Sequence, residues 1–206
     1  MQHHRYSASK IAAQQMQLTQ LIKHRNYMFK NVYLGLGSNL GNKMSNITNA
    51  CKKLKECGIK ITNASSLYQS SAVTVCKKDP SKGTTDNNDP DFFNAVIEVS
   101  CGQNPNQLLK IIHNIESELG RVRGEKWIAR TIDIDILIFD DKIVNDAHLK
   151  IPHPEIKNRP FVYIPLIEIS EINGRSQILQ REESAQEAGN NNLKIILKKS
   201  ELMKII

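Results

Sequence analysis

Asp133 and Asp135 stand two residues apart in Arg130-Thr131-Ile132-Asp133-Ile134-Asp135-Ile136, where acid and isoleucine alternate. In a strand, side chains two apart share a face. The isoleucines then bury together, and the two carboxylates stand side by side on the other face. Such a pair repels unless something positive lies between its members. Hard oxygen ligands at this spacing suit Mg²⁺, which keeps waters and bridges to substrate phosphates. A solvated polar face gives the same pattern, so the neighbouring residues must decide.

The preceding segment is Gly120-Arg121-Val122-Arg123-Gly124-Glu125-Lys126-Trp127-Ile128-Ala129-Arg130, with three arginines, a lysine and the only Trp of the chain. Arginine is the side chain for bidentate phosphate contacts. An arginine loop beside a metal-binding strand face describes a phosphoryl-transfer site. A lone Trp in a polar loop is costly to expose, so it is expected to cover something.

Phe92 and Asn94 also share a strand face. An aromatic ring and an amide suit a planar heterocycle, one by stacking and the other by hydrogen bonds to its edge. His153 lies between Pro152 and Pro154, as either a structural histidine or a phosphate contact. Gly35-Leu36-Gly37 after the first strand is weak evidence for phosphate binding: it lacks the third glycine of the dinucleotide fingerprint and any P-loop lysine.

The elements that must position these residues are legible as periodicities. Val32, Leu34 and Leu36 alternate as a strand. Ile47, Ala50, Cys51 and Leu54 recur at helical spacing, with Gly58 just past the end. A second strand spans Ile59 to Tyr68, and a third Phe92 to Val99. Between them, residues 69–90 form a polar connection too long for a mere connector. Asn104 caps a second helix with Pro105 at its first position; Leu108, Leu109, Ile112, Ile115 and Leu119 form its stripe. Thr131 to Phe139 is the last strand, with Ile132, Ile134, Ile136 and Ile138 all expected on one side. Strand, helix, strand, strand, helix, strand is the ferredoxin-like βαββαβ plan, an α+β fold with an antiparallel sheet and helices on one face.

The expected domain is 29–170. Residues 151–170 should pack back onto it, and 171–206 form a C-terminal extension or linker in which Leu193 to Leu197 reads as one more strand. Residues 1–28 are basic and acid-free, a targeting segment or an extension upstream of Met28. The expected location is the cytoplasm, or the mitochondrion if 1–28 is a transit segment. The chain has 206 residues, is 40% hydrophobic and carries a formal charge of +7, which favours anionic partners. No apolar run reaches membrane-spanning length. Cys51, Cys57, Cys76 and Cys101 form no C-x-x-C pair and read as reduced thiols.

These separated motifs resemble one family, the 6-hydroxymethyl-7,8-dihydropterin pyrophosphokinases of folate synthesis. The likeness runs from Val32 to Ile169. It rests on Gly37-Ser38-Asn39-Leu40-Gly41-Asn42, Phe93-Asn94-Ala95, Gly120-Arg121-Val122-Arg123, the Arg130 to Ile136 stretch, Ile151-Pro152-His153-Pro154 and Arg159-Pro160-Phe161-Val162.

The resemblance implies that Asp133 and Asp135 hold two Mg²⁺ ions between ATP and the acceptor hydroxyl. Arg121 and Arg130 would stabilise the transferring group. Glu116, Arg123, Trp127, Ile136, His153 and Arg159 would contact or cover ATP, with His113 a weaker candidate. Phe92 and Phe161 would sandwich the pterin, Asn94 would read its edge, and Asn39 and Ser70 would lie beside it. Dihydropteroate synthase, to which the family is commonly fused, is the implied partner.

This chain departs from the family pattern in two places. Trp127-Ile128-Ala129-Arg130 stands where the family commonly has Trp-Gly-Pro-Arg, which puts the loop's resting conformation in question and raises the alternative of an inactive copy. Ser70-Ser71-Ala72 replaces a Thr-x-Pro-like stretch. The rival from another class, an RNA-recognition module, needs a Gly-Phe-Gly-Phe-Val signature on the third strand. The chain has Asp91-Phe92-Phe93-Asn94-Ala95-Val96 instead, and paired aspartates on that face would repel a phosphate backbone.

Overall fold

The computed structural model describes residues 29–71, 90–121, 130–170 and 193–206. The expectations for the N-terminal 28 residues, most of the 69–90 connection, and residues 122–129 fall outside these.

The core is an antiparallel sheet covered by two helices. β1 (Phe29–Ser38) is central, with β5 (Asp133–Phe139) on one side and β4 (Phe92–Cys101) on the other. The far edge of β4 pairs first with β2 (Lys60–Ala64), then with β3 (Leu67–Ser70). The single strand expected from Ile59 to Tyr68 is thus broken in two. At the break, Ser65 N–H donates to Val96 O at 2.8 Å and Ser65 Oγ accepts from Val96 N–H at 3.0 Å, so this one residue supplies both partners that a straight strand would.

Alternation on β1 defines the two faces. Val32, Leu34 and Leu36 turn toward α1 (Lys43–Glu56) and α2 (Pro105–Glu118) in the main core. Asn42 caps α1 by accepting from Ser45 N–H at 3.0 Å, and Ile47, Ala50, Cys51 and Leu54 form its buried stripe. Ile47 and Leu54 each contribute about 1.5–3 kcal/mol by leaving water. Asn104 and Gln107 form a capping box on α2. Gly58 and Gly120, at φ 77° and 85°, take the left-handed step that ends the two helices.

Tyr33, Val96 and Leu137 face the opposite side, where Ile156, Leu166 and Ile169 cover them. The last two belong to α3 (Pro160–Ile169). Helices therefore do not lie on one face only: α1 and α2 cover one side, and α3 covers part of the other. Residues 151–170 do pack back on the sheet, and Pro160 at the first helical position suits a helix start. The short hairpin β6 (Val144–Asn145) and β7 (Lys150–Ile151) leads into this segment.

The isoleucines of β5 do not all point one way. Leu34 pairs with Ile136 and Tyr33 with Ile138, which leaves Leu137 as a bulged extra residue. After the bulge, Ile138 joins the second cluster and Phe139 enters the main core.

Residues 193–206, expected in an extension or linker, add to the same sheet. β8 (Lys194–Leu197) pairs antiparallel with the outer edge of β3, and α4 (Lys199–Ile205) buries Leu202 in the main core. Glu168 of α3 ties these parts together. Its carboxylate accepts from Ser66 N–H at 2.9 Å, Ser66 Oγ at 2.7 Å and Tyr68 OH at 2.9 Å. Ser66 Oγ in turn accepts from Lys199 N–H at 3.1 Å. No helix among the described residues is long and apolar enough to cross a membrane.

Candidate active site

Across the sheet, Gly37 pairs with Asp133 on one side and Asn94 on the other, and Gly35 pairs with Asp135. One face therefore carries Asp133 and Asp135 on β5, two glycines on β1, and Asn94 with Phe92 on β4. Neither glycine brings a side chain of its own. A Cβ at position 37 would meet Asn94 Oδ1 at 3.7 Å, Asp133 Cβ at 3.9 Å and Phe92 Cδ1 at 4.0 Å. Gly35 lies under the bulged Leu137, 3.4 Å from a Cβ placed there. Gly37 thus leaves a floor between the acidic and the aromatic residues, whereas the Leu137 side chain covers Gly35.

Positive groups converge on the acids. Arg121 Nη1 lies 2.6 Å from Asp133 Oδ1, and Arg130 Nη1 lies 2.6 Å from Asp133 Oδ2. Arg121 also pairs with Glu116, which is 1% exposed. Glu116 Oε1 accepts from Ile134 N–H at 2.9 Å. This acid therefore pins the end of α2 to the middle of the aspartate strand. Burial pushes the Glu116 carboxyl upward, against the downward pull of the Ile134 amide and the Arg121 guanidinium.

Asp135 keeps 38% of its side-chain surface open, and Arg159 Nη1 lies 4.0 Å from its Oδ2. Partial burial, and then the charge on Asp133, push its carboxyl upward. The nearby His153 ring and the Arg159 guanidinium offset this in part. His153 is fixed by its own N–H to Leu137 O at 2.8 Å, and its Nδ1 accepts from Glu155 N–H at 3.2 Å. Its other ring nitrogen is then the one that bears the proton of the neutral ring.

On the aromatic side, Asn94 Nδ2 donates to Ser70 Oγ at 2.9 Å. Both side chains are buried, so Asn94 is held in one orientation. Lys43 Nζ donates to Asp91 O at 2.8 Å, and Gln69 Nε2 donates to Asp91 Oδ2 at 2.5 Å. These contacts fix the backbone just before Phe92. Phe92 is half-buried on this face, and half-buried Phe161 sits near the start of α3, the helix that covers the same side.

The structure therefore gathers Arg121, Arg130, Asp133, Asp135, His153, Arg159, Phe92, Asn94 and Ser70. Two of the assigned residues turn their side chains away from the open face. The Ile136 side chain is 3% exposed in the main core, on the face away from the aspartates, so only its backbone is left to meet a nucleotide. Asn39 is 5% exposed and is engaged with the Arg130 backbone. Arg123, Trp127 and the Ile128-Ala129 pair lie outside the described residues. Sequence reasoning missed Ser38 and Asn46, which join the Asn39 contact, and the floor role of Gly37. Only their place within or just after the Gly37 to Asn42 motif could have signalled them.

A model of the 7,8-dihydro-6-hydroxymethylpterin-pyrophosphokinase (HPPK) family matches residues 33–171, which hold nearly every side chain just described. The chain belongs to the HPPK family. The HPPK of Aquifex aeolicus, named 2-amino-4-hydroxy-6-hydroxymethyldihydropteridine pyrophosphokinase, is 38% identical over 138 residues, covering 67% of this chain and 79% of that protein. A folic acid synthesis protein of Pneumocystis carinii is 42% identical over 139 residues, but the match spans only 17% of its length against 68% of this chain. The folate synthesis bifunctional protein of Arabidopsis thaliana is 37% identical over 143 residues, 68% of this chain and 27% of that protein. Some HPPK relatives are thus about as long as the match, and others carry it as a small part of a longer chain. Among solved structures, wild-type Plasmodium falciparum HPPK-DHPS aligns over 69% of this chain and 39% of that one, with 18% identity and a TM-score of 0.50. At that identity the likeness concerns the fold alone.

Proposed function

We propose that this chain transfers a pyrophosphoryl group from ATP to the hydroxymethyl oxygen of 6-hydroxymethyl-7,8-dihydropterin, a step of folate biosynthesis. The observation that carries the reading is one sheet face holding an acidic pair with two arginines at one end and a fixed Asn-Phe pair at the other. The alcohol oxygen attacks the β-phosphorus of ATP, and its hydroxyl proton passes to water. The bond from that phosphorus to the oxygen bridging to the α-phosphorus breaks, and AMP leaves with that oxygen. Charge grows on phosphate oxygens, so placement and electrostatics dominate.

Asn94 presents a fixed amide to the pterin edge, Phe92 and Phe161 offer rings for stacking, and the glycine floor makes room. Arg121 and Arg130 rest on Asp133 and are placed to turn toward the phosphates. Arg159 and His153 border Asp135 and face the nucleotide. Glu116 acts through Arg121 and the aspartate strand.

Among the described residues, no cluster of three or more His, Cys, Asp or Glu side chains forms a protein cage for a metal. Mg²⁺ does not need one, because it takes one or two carboxylates and completes its shell with phosphate and water. Asp133 and Asp135, adjacent on one face, fit that role once Arg121 and Arg130 leave the Asp133 carboxylate for the phosphates. Two Mg²⁺ ions there would neutralise phosphate charge and orient the triphosphate.

The strand order β5-β1-β4, followed by β3 with β2 beside it on β4, supports the ferredoxin-like plan with α3, β8 and α4 added. A fused or adjacent dihydropteroate synthase belongs to the same reading, in keeping with relatives in which the match is a small part of a longer folate-synthesis protein.

Label tracing tests the bond assignment. ATP labelled in the γ-phosphate should deliver label to the pterin, and α-label should stay in AMP. Label appearing in free phosphate alone would overturn the reaction.

A further inference from the structure

Asn39 was expected beside the pterin, yet its contacts go to a catalytic arginine. Its Oδ1 accepts from Arg130 N–H at 2.7 Å, and its own N–H donates to Arg130 O at 3.1 Å. Leu40 N–H donates to the same carbonyl at 3.2 Å. Both polar groups of the Arg130 backbone are therefore tied to the end of β1. The next peptide is held too: Ser38 Oγ donates to Thr131 O at 2.6 Å. Asn46 of α1 locks this arrangement, with Nδ2 donating to Ser38 Oγ at 3.1 Å and to Leu40 O at 2.8 Å. Ser38 and Asn39 are buried, so these bonds form with little competition from water.

We infer that Asn39, Ser38 and Asn46 form a clamp that sets where Arg130 stands, and that Asn39 is a positioning residue rather than a pterin contact. The geometry favours this over a substrate role. Arg130 has no regular strand neighbour of its own, since β5 begins three residues later at Asp133. Its guanidinium must nevertheless lie 2.6 Å from Asp133 Oδ2 and within reach of the transferring phosphate. A backbone held at both its N–H and its C=O supplies that placement. A shift of about 1 Å at a reacting group can lower turnover about 10²-fold. The clamp also links α1, which touches no reacting atom, to the placement of the arginine.

The inference rests on the pyrophosphokinase reading, and the experiment separates the two. Wild type, Asn39→Ala, Asn39→Asp, Arg130→Ala and the double variant Asn39→Ala/Arg130→Ala are compared for kcat and for KM of the pterin, with thermal melts of each. If wild type makes no AMP with the pterin, the functional reading has failed and the clamp is judged by protection of the Arg130 amide from hydrogen exchange, which Asn39→Ala should abolish. If wild type is active, Asn39→Ala should lower kcat at least about tenfold with pterin KM nearly unchanged. Asn39→Asp keeps the oxygen that accepts from Arg130 N–H and should recover most of kcat. On the Arg130→Ala background, Asn39→Ala should change kcat less than about twofold, because the two act as a unit. Asn46→Ala, on α1 and away from substrate, should lower kcat in the same sense and serves if Asn39→Ala fails to fold. Additive losses in the double variant, or a raised pterin KM at normal kcat, would overturn the clamp.

Discussion

Gly37 of β1 and Asp133 of β5 are direct cross-strand partners, and a side-chain carbon on Gly37 would lie 3.9 Å from the Asp133 Cβ and 3.7 Å from Asn94 Oδ1. The acidic and heterocycle-reading halves of the site thus meet over a residue with no side chain. The contacts of an added methyl are ordinary van der Waals distances, so Gly37→Ala should fold normally. Gly37→Leu should also melt near the wild-type temperature, since the branch projects onto the open face, but it should raise the pterin KM about tenfold or more. Steady-state kinetics with matched melts check this. A leucine variant with normal pterin KM would move the pterin away from the floor.

Asp135→Ala should reduce turnover about 10²- to 10³-fold, the scale seen when one preorganised electrostatic group is removed from a transition state. Pterin binding, measured by fluorescence quenching without nucleotide, should change little, because Asn94 and Phe92 are untouched. Unchanged turnover in both Asp135→Ala and Asp133→Ala would remove the metal assignment.

Glu116→Ala removes the acceptor of both Ile134 N–H and Arg121. The buried amide loses its partner, and the loss should cost about 2 kcal/mol in denaturant unfolding. Turnover should fall as well, since Arg121 loses the anchor behind it. Stability loss without any loss of turnover would reduce Glu116 to a purely structural group.

Burial pushes the Cys51 thiol up to about 12 from an unfolded value of 9.0. The sign follows directly. Above pH 9 the unfolded chain ionises this thiol and the folded chain does not, so folding stability falls as pH rises, by about 1.4 kcal/mol per unit from this one group. Below pH 9 the group contributes no pH dependence. Thiol labelling at pH 8 should modify exposed Cys57 in the native protein and spare Cys51 and Cys101 until unfolding. Rapid native labelling of Cys51 would contradict the packing of α1.

The helical stripes, the three central strands and the acid-isoleucine alternation were legible because each is a short-range periodicity. Asn104 with Pro105, and Gly58 and Gly120 past the helix ends, fixed boundaries through local backbone chemistry alone. What escaped depended on partners distant in sequence. The bulge at Leu137 exists only because β1 and β5 slip register, and it sends Ile138 to the opposite cluster. α3 was hidden by two prolines and by apolar residues spread around it, so its stripe emerges only against Tyr33 and Val96. The break between β2 and β3 depends on Ser65 serving Val96. Within the site, Asp133, Asp135 and the arginines were readable as types at a spacing. The contact of Asn39 with Arg130 spans 91 residues and leaves no periodic trace.

The most direct test of the central claim is an AMP assay with ATP and Mg²⁺, run with and without 6-hydroxymethyl-7,8-dihydropterin, followed by the mass of the pterin product. The account predicts AMP only when the pterin is present, matched mole for mole by a pterin heavier by one pyrophosphoryl group. No AMP from folded protein that still binds ATP and pterin would contradict it, and would turn attention to the Ile128-Ala129 pair before Arg130.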